Sequence, residues 1–302
     1  MLVVGNCGDY MGKNGSRFGE FSIILAAAMW GCIGIFTRKM SSLGFSSVQT
    51  VAIRALITTL MVFLIIIIKD KNLLKIKLKD IWIFLGTGLC SFLFFNICYM
   101  TSIKENSISI SCILLYTSPI WVILLSLIIF KEKMTTRRCI SLPLCLLGCI
   151  AVCCSSSLTL TSKGLLFGLL SGFGYALYSI FGKVAVHKYS SLTITFYTFL
   201  LASLGVLPFC KISSMGKLLL DSTSIFWSIG IALINTIFPY LLYTYGLSKT
   251  TPGKAAVLSI MEPVVAALVG TLLFAESLGI IGILGIAIVI LGLIILQGGK
   301  NN

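Results

Sequence analysis

Tyr99, Pro119, Glu132 and Gly148 recur in the same order as Tyr243, Pro263, Glu276 and Gly292, so the second half of this chain repeats the first at an offset of 144 residues. Each half reads as five apolar helices. Five is odd, so a chain that crosses a bilayer five times per copy must enter its second copy from the opposite side. The two copies then lie inverted relative to one another. Inverted repeats are a transporter architecture, because two mirrored halves can open one central site alternately to either side. The repeat points to solute transport before any single residue is considered.

The bilayer itself follows from composition. Hydrophobic residues make up 58% of the 302, and charged residues only 11%, far from the balance of an ordinary soluble domain. Apolar runs of about 20 residues, long enough for the hydrocarbon core, fall at 21-37, 48-68, 81-101, 107-130, 138-155, 164-186, 192-210, 224-247, 254-275 and 278-297. The expected fold is an all-α integral membrane protein of ten transmembrane helices in two inverted five-helix repeats. Residues 1-19 form an N-terminal segment, 20-157 the first repeat and 162-297 the second. Residues 1-20 carry Asp9, Lys13, Arg17 and Glu20 without an apolar core, unlike a cleavable signal peptide.

The net charge of +14 does not imply a nucleic-acid partner, because the basic residues occupy short loops between spans. They report orientation instead. Sixteen Lys and Arg residues fall on the side of the N-terminus and six on the other, with Arg54 inside a span. The positive-inside rule then predicts a multi-pass protein of the cell membrane with both termini cytoplasmic. The loops at 69-80 and 131-138 are basic, whereas their repeat mates around 211-223 and 275-277 are sparse, as inverted copies require.

The eleven cysteines do not read as a disulfide scaffold, since most fall inside predicted helices, where a thiol packs as a small apolar group. Cys145, Cys149 and Cys153 share one face of the fifth helix; without a histidine or carboxylate beside them, the face reads as packing and no metal is expected. The lone histidine, His187, falls at a helix end. No Walker-type phosphate loop is present, so neither a cofactor nor ATP-driven pumping within this chain is expected. Glycines at 164, 168 and 172, at 282, 285 and 292, and Ala27 with Gly31 mark close helix approaches. That spacing serves a monomer or a homodimer equally.

A resemblance rests on several of these residues. The segment from Leu258, LSIMEPVVAALVGTLLFAESLGIIGILGIAIVILGLIIL, resembles the last two helices of the EamA module of the drug/metabolite transporter superfamily. LLYTSPIWVILLSLIIFKEKMTTRRCISLPLCLLGCIAV is a looser first copy, with Pro119, Glu132 and Gly148 in matching places. The start Ala27 to Gly31 and Arg54 in the second helix are similar to the family as well. The resemblance covers residues 20 to 297. It implies a carrier of ten helices, with both termini inside, moving metabolites such as amino acids or their derivatives, often outward. One departure is Ser118-Pro119 in the first copy against Glu262-Pro263 in the second, so the halves are not functionally equivalent.

Glu262 lies about eight residues past the expected start of the ninth helix, roughly 12 Å deep at 1.5 Å per residue. A carboxyl at that depth faces a cavity or a partner. Pro263 removes a backbone donor and is expected to free a carbonyl beside it. Two readings stay open: Glu262 carries a proton or meets a substrate amine, or it braces a kinked helix. Arg54 is expected to snorkel toward the nearer surface, with a salt bridge or a substrate carboxylate as the alternative. Glu132 and Glu276 precede the last helix of each half, where a carboxylate complements the helix dipole; both read as structural.

Mid-span aromatic and amide residues are the cavity candidates. Asn96 and Tyr99 share a face of the third helix and map onto Tyr240 and Tyr243 of the eighth. Trp30 and Tyr175 correspond between the halves, and Asn235 with Pro239 marks a mid-helix irregularity. Such residues offer apolar area with a polar handle, which suits a small amphipathic solute. A membrane enzyme would need a cluster of acids, bases or metal ligands, and a channel a continuous polar stripe; neither is evident. The sequence therefore predicts a secondary transporter exporting small amphipathic metabolites, amino acids foremost, possible proton coupling resting on Glu262.

Overall fold

The structure is a computed structural model that describes residues 13–106, 108–153, 161–275 and 279–297, with the side chains of 13–16 and 109 left aside. Ten helical spans cross it: α1 Arg17–Ser42, α2 Ser47–Lys69, α3 Leu78–Glu105, α4 Ile110–Ile129, α5 Thr136–Cys153, α6 Ser162–Val186, α7 Ser191–Phe209, α8 Ser222–Lys249, α9 Pro252–Phe274 and α10 Ile280–Gln297. No strand occurs among the described residues. Glu276 lies outside them.

Local chemistry sets where these helices begin, and it repeats with the halves. Ser46 opens α2 by accepting from Gln49 N, with the Gln49 side chain reaching back to complete a capping box. Its mate 144 residues on, Ser190, opens α7 by accepting from Thr193 N. Thr161 and Asp221 cap α6 and α8 in the same way, so the first orphaned donors of these spans are satisfied before the chain enters lipid.

The packing follows the repeat. The span α1 lies on α8 and α9, and its counterpart α6 lies on α3 and α4; α2 contacts α7 and α8, and α7 contacts α2 and α3. Each contact has a mate with the halves exchanged, as a twofold relation between inverted repeats demands. The spans α5 and α10, equivalent to one another, pair together. At their seam a Cβ on Gly148 would stand 2.7 Å from the Gly285 carbonyl oxygen, and one on Gly285 2.7 Å from that of Gly148. Only glycine admits that approach. Cys145 and Cys149 are buried in this region, and Cys145 lies against Gly292, so the cysteine face is a packing face. The far side of α10 exposes Ile281, Leu284, Leu291 and Ile294, an apolar face suited to lipid.

Four spans carry irregularities that recur in matched pairs. The helix of α4 stops at Leu115 and resumes at Ser118, and that of α9 stops at Leu258 and resumes at Met261. Pro119 and Pro263 sit in the first turn of the resumed helix, where a missing N–H costs least. The expected free carbonyl beside Pro263 is not found: Ser259 O, four residues back, accepts from Glu262 N at 3.0 Å, because the tight turn at Ser259–Ile260 supplies a closer donor. The spans α3 and α8 each contain a π-helical stretch, Gly86–Leu93 and Leu233–Ile237. Shifted by 144, the second falls on residues 89–93 of the first. Such stretches are frequent at functional sites.

Candidate functional site

The spans α3 and α8 meet α1 and α6 at a cavity lined by Trp30, Ser91, Phe95, Tyr175, Tyr178, Ser179, Tyr240 and Tyr243. Residues of α1 and α3 come from the first half, and those of α6 and α8 from the second. The room between them suits about one water. Trp30 is the hub: its ring centroid lies 5.3 Å from that of Tyr240, 5.4 Å from Tyr243 and 6.3 Å from Tyr175. The helix carrying Trp30 turns at Cys32, where Cys32 N bonds back to Met29 O. Beside it, a Cβ on Gly31 would stand 2.7 Å from Glu262 O, so glycine lets α1 and α9 touch at the level of the cavity.

The polar ends of the wall are tied to one another or to residues behind it. The Tyr243 hydroxyl shares a 2.7 Å hydrogen bond with Ser179 Oγ, and that of Tyr178 a 2.9 Å bond with Thr244 Oγ1. The Tyr175 hydroxyl donates to Glu262 Oε2 at 3.1 Å. Tyr116, at the break in α4, neighbours the same carboxylate. Glu262 thus stands one residue behind the lining, and its acceptor oxygen is addressed by phenol groups rather than by a cation.

Of the residues singled out in the sequence, Trp30, Tyr175, Tyr240 and Tyr243 come together in the lining, with Glu262 behind Tyr175. Asn96 and Tyr99 do not join them. Asn96 is buried and donates to Phe92 O at 2.7 Å, and Tyr99 lies beside Cys112 and against Phe95, centroids 6.1 Å apart. The cavity instead takes Ser91 and Phe95 from α3. The π stretch is eight residues in α3 and five in α8, and the longer underwound stretch turns a different face inward. Asn235 is not in the lining either; its Nδ2 donates to Met29 O at 2.5 Å, which ties α8 to α1 just before Trp30.

Arg54 does not snorkel. It is only 7% exposed, its Nε donating to Thr236 Oγ1 at 3.2 Å and its Nη2 to Asn235 O at 3.4 Å. Pro239 explains why that carbonyl is available, since it has no N–H to return to Asn235 four residues back. A long side chain turns inward when the interior offers acceptors. Glu132 does more than complement a helix end: its Oε2 receives Arg138 Nη1 at 2.7 Å, and Arg138 Nη2 goes on to Thr251 Oγ1 at 2.5 Å. His187 follows the end of α6 and is exposed.

Ser91, Phe95, Tyr178 and Ser179 were not among the residues expected from sequence. Two signals point to them: Ser91 is the repeat mate of Asn235, and Tyr178 and Ser179 follow Tyr175 at i+3 and i+4 on one helix face.

Known proteins place this architecture. The EamA-like transporter family matches the chain twice, over residues 17–154 and 162–297, which leaves little of the chain unmatched. The chain belongs to the EamA-like transporter family. An uncharacterized transporter of Archaeoglobus fulgidus is 30% identical over 283 residues, covering 92% of this chain and 96% of its own. The uncharacterized transporter YxxF of Bacillus subtilis is 25% identical, covering 93% and 90%. A crystal structure superposes with a TM-score of 0.74 at 14% identity, covering 93% of this chain and 96% of the other; at that identity the likeness shows the fold alone. This EamA-like protein is therefore a multi-pass membrane protein, and its family and relatives give it a transporter role.

Proposed function

We propose that this EamA-like transporter is a secondary carrier that works by alternating access, exporting small amphipathic metabolites with amino acids the leading class. In this reading both termini are cytoplasmic, and Glu262 carries the coupling proton or meets the substrate amine. The observation that carries it is the cavity itself: one aromatic wall built from α1 and α3 of one repeat and α6 and α8 of the other. Tryptophan and tyrosine present apolar area with hydroxyl and indole handles, a lining suited to an amphipathic solute. A site shared by two inverted halves is the element that rocking of the halves exposes to each side in turn.

The narrowness of the cavity fits a closed intermediate, since small-molecule pockets run to about 300–1,000 Å³. Polar links join the halves at both ends. On the basic face Lys254 meets Glu20 at 2.7 Å and Lys188 meets Asp80 at 2.6 Å. On the other, Lys163 meets Glu105 at 2.7 Å, and Gln49 Nε2 donates to Lys211 O and Ser214 Oγ at 3.3 and 2.8 Å.

Counterflow of labelled amino acids and small amines into proteoliposomes, with and without an imposed pH gradient, tests the reading. Saturable counterflow is expected for at least one amino acid, with accumulation that follows the gradient. Folded protein that gives no counterflow across the panel would rule the substrate class out.

A further inference from the structure

Arg54 has no acidic partner. Among the described residues no carboxylate lies within ion-pair distance of its guanidinium, and its two hydrogen bonds both go to neutral oxygens, Thr236 Oγ1 and Asn235 O. An arginine carries five donors, so three remain unused. Asn235, whose carbonyl accepts from Nη2, also keeps its side-chain oxygen Oδ1 buried without a hydrogen-bond partner. A cation buried to this degree costs several kcal/mol unless something of opposite sign offsets it, and two neutral acceptors do so incompletely.

Its position gives that charge a direction. The guanidinium carbon lies 5.8 Å from the centre of the Phe92 ring, and Phe92 lies 6.2 Å from Tyr240, a residue of the cavity wall. Glu262 stands behind a different part of the wall, through Tyr175. The two are close enough for each to feel the field of the other, yet they make no ion pair. Trp30 touches both Tyr175 and Tyr240. The cavity therefore has a carboxylate behind one wall and a guanidinium with open donors behind another.

We propose that Arg54 is a specificity-determining residue that receives the carboxylate of a zwitterionic solute, whose ammonium group faces Glu262. The inference rests on the proposed carrier function and adds the requirement for a carboxylate. A guanidinium fork matches a carboxylate with two parallel charge-assisted bonds, and the solute's anion offsets the buried charge while it is bound. Opening of the cavity brings the two together, since Phe92 and Tyr240 stand between them in the closed form.

The test uses full-length protein in proteoliposomes and whichever labelled amino acid shows counterflow, competed by phenylalanine, phenylalaninamide and phenylethylamine. Wild-type protein should prefer phenylalanine over the two compounds without a carboxylate by roughly 10- to 100-fold, the range of a charge-assisted pair. Arg54→Gln should erase the preference, and Arg54→Lys should retain part of it. Thr236→Val removes an acceptor but leaves the cation; if Arg54 only braces the π stretch of α8, this variant should behave like Arg54→Gln. Preference kept in Thr236→Val supports the assignment. Wild-type protein competed equally by all three compounds overturns it, even if Arg54→Gln fails to fold, while leaving the carrier function standing. Absence of counterflow for every amino acid would instead rule out the substrate class on which the inference rests.

Discussion

The Tyr175 hydroxyl donates to Glu262 Oε2 across 3.1 Å, so the wall of the central cavity and a membrane-embedded carboxylate are joined by a single hydrogen bond. Tyr175 is in the lining and Glu262 is one step behind it. Any group that enters by displacing the phenol reaches the carboxylate directly, and any change in the charge of the carboxylate is felt at the phenol.

Replacing the carboxylate separates exchange from coupling. Glu262→Gln keeps the shape and an acceptor for Tyr175 but holds no titratable proton. It should retain counterflow of solute on both sides of the membrane and lose accumulation driven by a pH gradient. Tyr175→Phe removes only the donor, and a hydrogen bond to a charged group contributes about 1.5–3 kcal/mol; solute competition should weaken by tenfold or more at constant fold. A Glu262→Gln carrier that still follows the gradient would exclude this residue as the coupling group.

The lining separates two tyrosines that the repeat makes equivalent. Tyr243 touches Trp30 and bonds to Ser179, while Tyr99 stands beside Cys112 outside the lining. Tyr243→Ala should raise the concentration of solute needed for half-maximal competition by roughly tenfold or more, equivalent to about 1.4 kcal/mol. Tyr99→Ala should change it much less. Equal effects in a competition assay would move the binding site away from the cavity.

Two ion pairs should differ sharply in their effect on stability. Arg138 and Glu132 are 12% and 10% exposed, and Lys163 and Glu105 are 62% and 31% exposed. Removing one partner of a buried pair leaves the other charge uncompensated and costs about 3–5 kcal/mol, whereas an exposed pair contributes about 0–1 kcal/mol. Arg138→Ala should therefore lower the unfolding midpoint in detergent far more than Lys163→Ala, and differential scanning of the purified variants reads the comparison.

The α5–α10 seam tolerates no side chain at its centre. Gly148→Val would drive its side chain into the Gly285 carbonyl, and overpacking of this kind costs about 1–3 kcal/mol. Gly34→Ala, where nothing lies within 4 Å of the added carbon, is the matched comparison. It should be neutral or stabilising, since alanine is the better helix former by about 1 kcal/mol. Thermal unfolding of the two variants side by side checks both signs.

Much of this was legible in the sequence because the signals were periodic. Apolar length marked the spans, the 144-residue offset gave the inverted halves and pointed to Tyr240 and Tyr243, and an offset of 145 paired Trp30 with Tyr175. What escaped depends on helix phase. A π stretch rotates the faces within and beyond it, so Asn96 and Tyr99 left the lining and Ser91 and Phe95 entered it, although every residue type was in view. Arg54 escaped for another reason. Its choice between the membrane surface and the interior depends on the Asn235 carbonyl, which Pro239 on a different span leaves open. Such a pairing, 181 residues apart, follows from packing and has no local trace.

Access to the cavity from both faces is the property on which the transport mechanism stands. Ser91 lines the cavity, so a Ser91→Cys variant in a transport-competent, otherwise cysteine-free background can be labelled with a membrane-impermeant thiol reagent. Oriented vesicles of both polarities would present each face in turn. Labelling should proceed from either face, and a saturating amino acid that supports counterflow should slow both reactions. Labelling from one face alone, or labelling that the amino acid leaves unchanged on both, would contradict an alternately exposed central site.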